Sequence, residues 1–307
     1  MKIAFCFPGQ GSVEQGMGRE IAEAVPEAME VFERARGASD LDVMRLCFEA
    51  PVSDLVATEV QQPALVAASL AVLAAIRARG IEPDYVIGHS VGEFAALAAA
   101  DALDIEEAIA LVRERGIAMA EAARQHPGSM AAILGLDDEI VEELCFGIHG
   151  VWPANYNCPG QLVVSGAHAS VDELCDQAEE RGAKRAVKLK VSGAFHSPLV
   201  ARAAERLKPA VDRIKFAAPS APFMSTVTAK IEPAQRVGGL LVDQLTAPVR
   251  FTHATRELIK EGVGTFVEVG PGNVLSGLVK RIDKSVKAVS VSNLAGLQKL
   301  DESLDTT

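Results

Sequence analysis

Aromatic residues are scarce: they make up 5% of the 307 residues, with one Trp and two Tyr. Little is left of the stacking surface on which single-stranded nucleic-acid binders rely. Cysteine is scarce and unpaired. Cys6, Cys47, Cys145, Cys158 and Cys175 are odd in number, and no two stand in C-x-x-C spacing. This disfavours a zinc site and a disulfide framework and fits a reducing cytosol. Positive charge is short as well. Lys and Arg number 30 against 41 Asp and Glu, a formal net charge of −11, which argues against a nucleic-acid or anionic-membrane partner. The longest apolar stretch, Ala64 to Ile76, falls short of the ~20 residues that span a bilayer. The apolar run at Ile3–Phe7 is too short for a signal peptide. A soluble cytoplasmic protein is expected.

What is present points to a packed globular chain. Hydrophobic residues are 49% and charged residues 23%, enough apolar surface for a large core and too much for disorder. The length suggests two domains or one large α/β unit. Lys2–Phe7 and Tyr85–Gly88 read as short buried strands. Gln15–Arg36, Pro63–Arg79, Glu93–Ala100 and Ile105–Ala123 read as helices. Strands alternating with helices predict a parallel α/β sheet. The texture changes at Gln125-His126-Pro127-Gly128. From there to Gly193 the expected order is strand Met130–Leu134, helix Asp137–Cys145, strand Gln161–Ser165, helix Ser170–Arg181 and strand Arg185–Val191, a small α+β subdomain. The earlier style then returns, with helix Leu199–Arg213, strand Val263–Val269, a turn at Gly270–Asn273, helix Val274–Arg281 and strand Lys287–Val291. The tail after Leu300 is polar and expected to fray.

The strongest local signal is Gly88-His89-Ser90-Val91-Gly92, placed between a strand and a helix. This is a G-x-S-x-G elbow in its expected context. The sharp turn crowds the backbone, so small residues flank the serine. The helix start beneath it offers free N–H groups to an oxyanion. A serine hydroxyl needs a base. Of the six histidines, His196 leads, in the loop Ser192-Gly193-Ala194-Phe195-His196-Ser197-Pro198. His89 adjoins Ser90 and points away from it. His126 lies before Pro127 in a hinge, and His149, His168 and His253 read as surface or structural. No acidic third member can be chosen: Asp172, Glu173 and Asp176 form a solvated helix face, and a backbone carbonyl is the other way to orient an imidazole. Nucleotide motifs fail: Gly9-Gln10-Gly11 lacks a third glycine, and Met17 stands where a P-loop needs Lys.

Three segments together, Phe7-Pro8-Gly9-Gln10-Gly11-Ser12, Gly88-His89-Ser90-Val91-Gly92-Glu93-Phe94 and Gly193-Ala194-Phe195-His196-Ser197-Pro198, resemble the malonyl-CoA:acyl carrier protein transacylases and the acyltransferase domains of fatty acid and polyketide synthases. Asn155–Gln161, Asp243-Gln244-Leu245 and Gly270–Leu275 extend the resemblance over nearly the whole chain. It implies an α/β fold, with an α/β-hydrolase-like catalytic subdomain (residues 1–125 and 194–307) and an inserted ferredoxin-like subdomain (126–193). Ser90 matches the family nucleophile and His196 its base, oriented by the Gln244 carbonyl. Gln10 and Val91 match the oxyanion-hole amides. Arg115 matches the arginine that holds the malonyl carboxylate; without the match it reads as a helix-surface residue. Phe195, in Ala-Phe-His, goes with malonyl preference in relatives.

The implied reaction moves malonyl from malonyl-CoA to the phosphopantetheine thiol of an acyl carrier protein, with coenzyme A thioester as substrate and neither metal nor bound cofactor. Carrier docking on an acidic chain needs a local basic patch. Lys184, Arg185, Lys188 and Lys190 form one candidate, and Lys280, Arg281, Lys284 and Lys287 a second. Val91 and Phe94 depart from the Leu and Tyr common in the bacterial fatty-acid enzymes, which leaves open a polyketide-pathway enzyme acting in trans. A thioesterase and a silent acyl-binding scaffold are the remaining alternatives.

Overall fold

The computed structural model describes residues 2–305. Strand β1 (Lys2–Phe7) has four buried residues at its end. Helices α1 (Arg19–Ala24) and α2 (Pro26–Ser39) follow where one helix was expected. Pro26 has no N–H to continue α1, and its fixed φ suits the first turn of α2 instead. Helix α3 (Val43–Phe48) is capped by Asp42, whose side chain accepts the Arg45 N–H at 3.2 Å.

Helix α4 (Thr58–Arg77) starts ahead of its expected boundary and carries Pro63 inside it. Proline there frees the carbonyl of Glu59, one turn back. Arg113 Nη1 donates to that carbonyl at 2.8 Å, so the loss is made good. By length and composition α4 is apolar enough to cross a membrane, yet 83% of its apolar window is buried in the fold. It is the central core helix.

Strand β2 (Tyr85–Gly88), helix α5 (Gly92–Ala99) and helix α6 (Ile105–Gln125) come next. The chain then makes β3 (Ser129–Leu134), α7 (Asp138–Gly147), β4 (Val151–Cys158), β5 (Gln161–Gly166), α8 (His168–Glu180) and β6 (Arg185–Lys188). It continues with α9 (Ala201–Val211), β7 (Phe223–Ser225), β8 (Lys230–Ile231), α10 (Ala234–Asp243) and α11 (Phe251–Lys260). It closes with β9 (Val263–Val269), α12 (Val274–Ile282), β10 (Lys287–Val291) and α13 (Leu294–Asp305).

The strands form two sheets. The larger has the order β10-β9-β1-β2-β7-β8, parallel except for β8 at one edge. In its centre Ala4 pairs with Tyr85 and Phe7 with Gly88, so β1 and β2 end together. Crevices at the carboxyl ends of parallel strands are where ligands bind in such sheets. One face packs on α2, α4, α5 and α6, around Phe5, Phe32, Leu65 and Phe94; the other packs on α11 and α12, around Phe251, Phe266 and Leu278.

The smaller sheet has the order β4-β5-β3-β6, all antiparallel, with its own core around Ile133, Leu144, Val164 and Leu174. Its β-α-β-β-α-β order is ferredoxin-like. The large body with this unit inserted is the expected α/β-hydrolase-like arrangement. Strand β4 was not foreseen. Pro153, Asn155 and Asn157 interrupt its sequence pattern, and its register slips beside them at the sheet edge. The large body covers that edge: Tyr156 N–H donates to Val249 O and Val249 N–H to Ala154 O, each at 2.8 Å.

The C-terminal tail departs from expectation too. Helix α13 runs on to Asp305 because Leu297 and Leu300 are fully buried, and Asp301 pairs with Arg79. Residues 306 and 307 of that tail lie outside the described residues.

Candidate active site

Ser90 stands on the turn between β2 and α5 with φ 54°, in the left-handed region. A non-glycine residue there signals a backbone held by its surroundings. A Cβ on Gly88 would lie 2.1 Å from the Glu93 amide nitrogen, and one on Gly92 would lie 2.1 Å from the Phe7 carbonyl oxygen. The flanking glycines therefore let the elbow sit against the end of β1. Ser90 is 8% exposed and faces a cleft of about 450 Å³.

His196 comes from the loop that leads out of the smaller sheet, also with a left-handed φ, 58°. Its Nε2 lies 2.8 Å from Ser90 Oγ. Its Nδ1 lies 2.7 Å from the Gln244 carbonyl and 3.2 Å from that of Ala247. Two acceptors at Nδ1 assign the proton there, so Nε2 is the free lone pair and accepts the Ser90 hydroxyl. Burial, followed by the nearby charge of Arg115, holds the imidazole down to about 3. His196 is thus neutral and able to take a proton. Among the described residues no carboxylate touches it, and Asp172, Glu173 and Asp176 stay on α8 as a helix face.

Arg115, from α6, is not the surface residue that composition suggests: it is 1% exposed. Nη1 donates to Gln62 Oε1 at 2.8 Å; Nη2 donates to Ser90 Oγ at 3.0 Å and to Gln244 Oε1 at 2.9 Å. Its buried Nε–H has no partner among the described residues. Burial lowers the guanidinium to about 9, opposed by the charge of Glu93, and at neutral pH it stays cationic.

Gln10 lines the same cleft, with its side-chain amide donating to Thr58 Oγ1 at 3.2 Å. Val91 is the N-cap of α5. The amides of Gly92, Glu93 and Phe94 bond the carbonyls of His89, Ser90 and Val91. The Val91 amide therefore lies where helix N–H groups lack intrahelical partners. Phe195 is buried in the cleft wall beside Met119 and Met130. His89 turns away from the serine to Asn157, 3.0 Å off, as the elbow geometry requires.

Three participants are absent from the residues singled out in the sequence. Gln62 and Thr226 are ordinary polar residues in the sequence, and only the fold brings them in. Glu93 was visible as the single charge in an otherwise apolar Ala- and Leu-rich helix, which is the signal of a buried, partnered carboxylate. It is fully buried and raised to about 7 by that burial, against the hydrogen bonds from Thr226. Of the basic patches, Lys190 alone reaches the cleft lining, while Lys188 pairs with Asp172 at 2.5 Å. In the second patch, Arg281 donates to Gln161.

The family model described as the acyl transferase domain matches residues 4–306. The chain belongs to the acyl transferase domain family. A malonyl CoA-acyl carrier protein transacylase from Bacillus subtilis is 44% identical over 297 residues, covering 95% of this chain and 94% of that protein. The crystal structure of a malonyl CoA-acyl carrier protein transacylase from Clostridium perfringens superposes with a TM-score of 0.96 at 36% identity, over 100% of this chain and 98% of that one. A type II polyketide-synthase acyl-carrier protein in complex with its malonyl-transacylase gives 0.95 at 37% identity, over 99% and 100%. For an acyl transferase the polarity of the cleft is apt. A neutral base meets the hydroxyl on one side, and a buried cation meets the same oxygen on the other.

Proposed function

We propose that this acyl transferase carries malonyl from malonyl-CoA to the phosphopantetheine thiol of an acyl carrier protein, through a malonyl ester on Ser90. The observation that carries the reading is the line from the Gln244 carbonyl through His196 to Ser90 Oγ, with the Arg115 guanidinium 3.0 Å from that oxygen. A base alone would suit many acyl groups. A buried guanidinium beside the nucleophile suits an acyl group that ends in a carboxylate. The free Nε–H supplies a donor for it.

In the first half-reaction the donor carboxylate pairs with Arg115. Ser90 Oγ attacks the thioester carbon while its proton passes to His196 Nε2. The resulting imidazolium keeps its Nδ1–H on the Gln244 carbonyl. The oxyanion is assigned to the backbone N–H groups of Val91 and Gln10. As the C–S bond breaks, coenzyme A leaves as a thiol with the proton from Nε2. In the second half-reaction the pantetheine thiol gives its proton to Nε2, and its sulfur attacks the ester carbon. The ester C–O bond breaks and Ser90 recovers its proton. This is ping-pong chemistry. Coenzyme A thioester is a substrate, and no bound cofactor enters any step.

Residues 126–193 are assigned to an inserted subdomain that walls the cleft, and residues 1–125 with 194–307 to the catalytic body. Lys190 and its neighbours Lys184 and Arg185 are the proposed landing charges for an acidic carrier protein. The enzyme is placed in the cytoplasm beside its donor. The polyketide carrier complex among the related structures keeps carriers of both pathways as acceptors; rates on the two separate them. A thioesterase is disfavoured by the carbonyl at His196 Nδ1, where hydrolases carry an acid.

The test is intact-protein mass spectrometry after brief incubation with malonyl-CoA. A malonyl adduct on Ser90, discharged by a holo carrier protein and absent in Ser90→Ala, is expected. Fast release of free malonate with no adduct refutes transfer in favour of hydrolysis.

A further inference from the structure

Glu93 has no step in the mechanism above, yet it is fully buried behind the reacting residues. Its carboxylate is completely engaged. Oε1 accepts the Thr226 N–H at 2.6 Å and the Thr226 hydroxyl at 2.8 Å. Oε2 accepts the Gln244 side-chain N–H at 2.8 Å. The other end of that amide, Oε1, accepts from Arg115 Nη2 at 2.9 Å. The backbone carbonyl of Gln244 holds His196 Nδ1 at 2.7 Å. One residue is therefore tied to a buried carboxylate, to the guanidinium and to the base.

A glutamine amide is nearly symmetric in shape and turns over easily, exchanging its oxygen and its NH₂. Turned over here, its NH₂ would face the guanidinium, donor to donor, and its oxygen would face Glu93, acceptor to acceptor. The carboxylate excludes that state from one end as Arg115 does from the other. Above the pH at which Glu93 takes up a proton, Arg115 and Glu93 are thus joined through the amide as a buried pair of opposite charges, the condition under which buried charges are retained.

We propose that Glu93 is a positioning residue for acyl transfer: by fixing the Gln244 amide it keeps the Arg115 guanidinium aimed at the space beside Ser90. It touches no substrate. The inference rests on the roles given above to Ser90 and Arg115.

The experiment is a double-mutant cycle on the acylation rate at pH 8, where Glu93 is charged, with malonyl-CoA and acetyl-CoA as donors. The variants are Glu93→Gln, Gln244→Met and the pair. Glu93→Gln keeps the size of the side chain and removes its charge. Gln244→Met removes the relay and keeps the backbone carbonyl. Each single change is expected to slow malonyl transfer about tenfold or more, and acetyl transfer by less. The KM for malonyl-CoA should rise more than kcat falls. The pair should be no slower than the worse single, because both break one link. A purely structural carboxylate predicts additive losses, equal for both donors; that outcome overturns the proposal, as does a wild-type rate in Glu93→Gln. If Glu93→Gln does not fold, Gln244→Met decides alone: a malonyl-selective loss supports the relay and an unchanged rate overturns it. Acylation that survives Ser90→Ala would overturn the site itself. An inert Ser90→Ala and a malonyl-selective Arg115→Ala, beside a neutral Glu93→Gln, would overturn this inference alone.

Discussion

Replacing Arg115 by Ala should change which acyl group is transferred more than whether one is transferred. In the acyl-free site the guanidinium already makes three hydrogen bonds, to Gln62, Ser90 and Gln244. A malonyl carboxylate exchanges neutral amide acceptors for charged ones and adds a partner for Nε. A hydrogen bond to a charged group contributes about 1.5–3 kcal/mol. For a two-point contact, less the bonds given up, about 3–4 kcal/mol remains. That corresponds to about 10²–10³ in rate, at 1.4 kcal/mol per factor of ten. Acetyl-CoA has no carboxylate and loses only the contact to Ser90 Oγ, a change within about tenfold. The ratio of malonyl to acetyl acylation should therefore fall by about 10–10³.

The buried partner complicates the variant, because Glu93 is left without its opposite charge. Its carboxyl, already raised to about 7, rises further and takes up a proton, which limits the damage to the fold. The assay is quenched-flow acylation at pH 6.5 with both donors, with circular dichroism to check folding. Equal loss on both donors would remove Arg115 from the role of carboxylate clamp.

Further predictions concern other parts of the molecule. Phe195→Ala removes a ring from the cleft wall and, if that ring crowds the acyl α-carbon, raises methylmalonyl transfer relative to malonyl by about 1–3 kcal/mol, read by mass spectrometry of mixed-donor reactions; an unchanged ratio places the selective contact elsewhere. Glu268 is buried and accepts the amides of Leu275 and Ser276 at 3.0 and 2.8 Å, at the start of α12. Glu268→Ala should cost about 2–3 kcal/mol in urea unfolding, and a loss under about 0.5 kcal/mol contradicts that role. The pH dependence of folding is a third test. As pH falls from 6.5 toward 3, the unfolded chain binds a proton at His196 that the fold refuses, so stability falls. As pH falls from 7 toward 4.5, the fold binds one at Glu93 that the unfolded chain refuses, so stability rises. The two offset each other between those limits. In Glu93→Gln the loss from His196 is uncovered, about 1.4 kcal/mol per pH unit relative to wild type; a constant difference between the two proteins at pH 6.5 and pH 4.5 contradicts it.

Legibility in the sequence followed how local each constraint is. The elbow was readable because the clash that demands Gly88 and Gly92 lies within five residues and at the end of the first strand. The orienting group of His196 was not readable from residue chemistry, since a backbone carbonyl has no side-chain signature. Only the resemblance pointed to Gln244. Two prolines show the same limit. Pro26 splits a helix, whereas Pro63 sits inside one, and the difference is made by Arg113, which reaches across from α6 to the freed carbonyl of Glu59. Strand β4 escaped notice because its stability comes partly from Val249, far away in the chain. The burial of Arg115 is of the same kind: its neighbours come from α4, the elbow and the end of α10.

The two sheets contribute differently to the cleft. Ser90 and His196 stand on the body of the larger sheet, whereas Met130 of β3, Asn155 of β4, and Leu189 and Val191 after β6 line the same cleft from the inserted unit. The proton path is thus written outside the insert, while the chamber around it is drawn from both units, with Phe195 and Met119 from the body and these four side chains from the insert. Variation in the insert alters the shape of the chamber while leaving the proton path untouched. A chimera that takes the insert from a relative with another acyl preference would be expected to change that preference only as far as Met130, Asn155, Leu189 and Val191 set it, because Arg115 and Phe195 stay with the host.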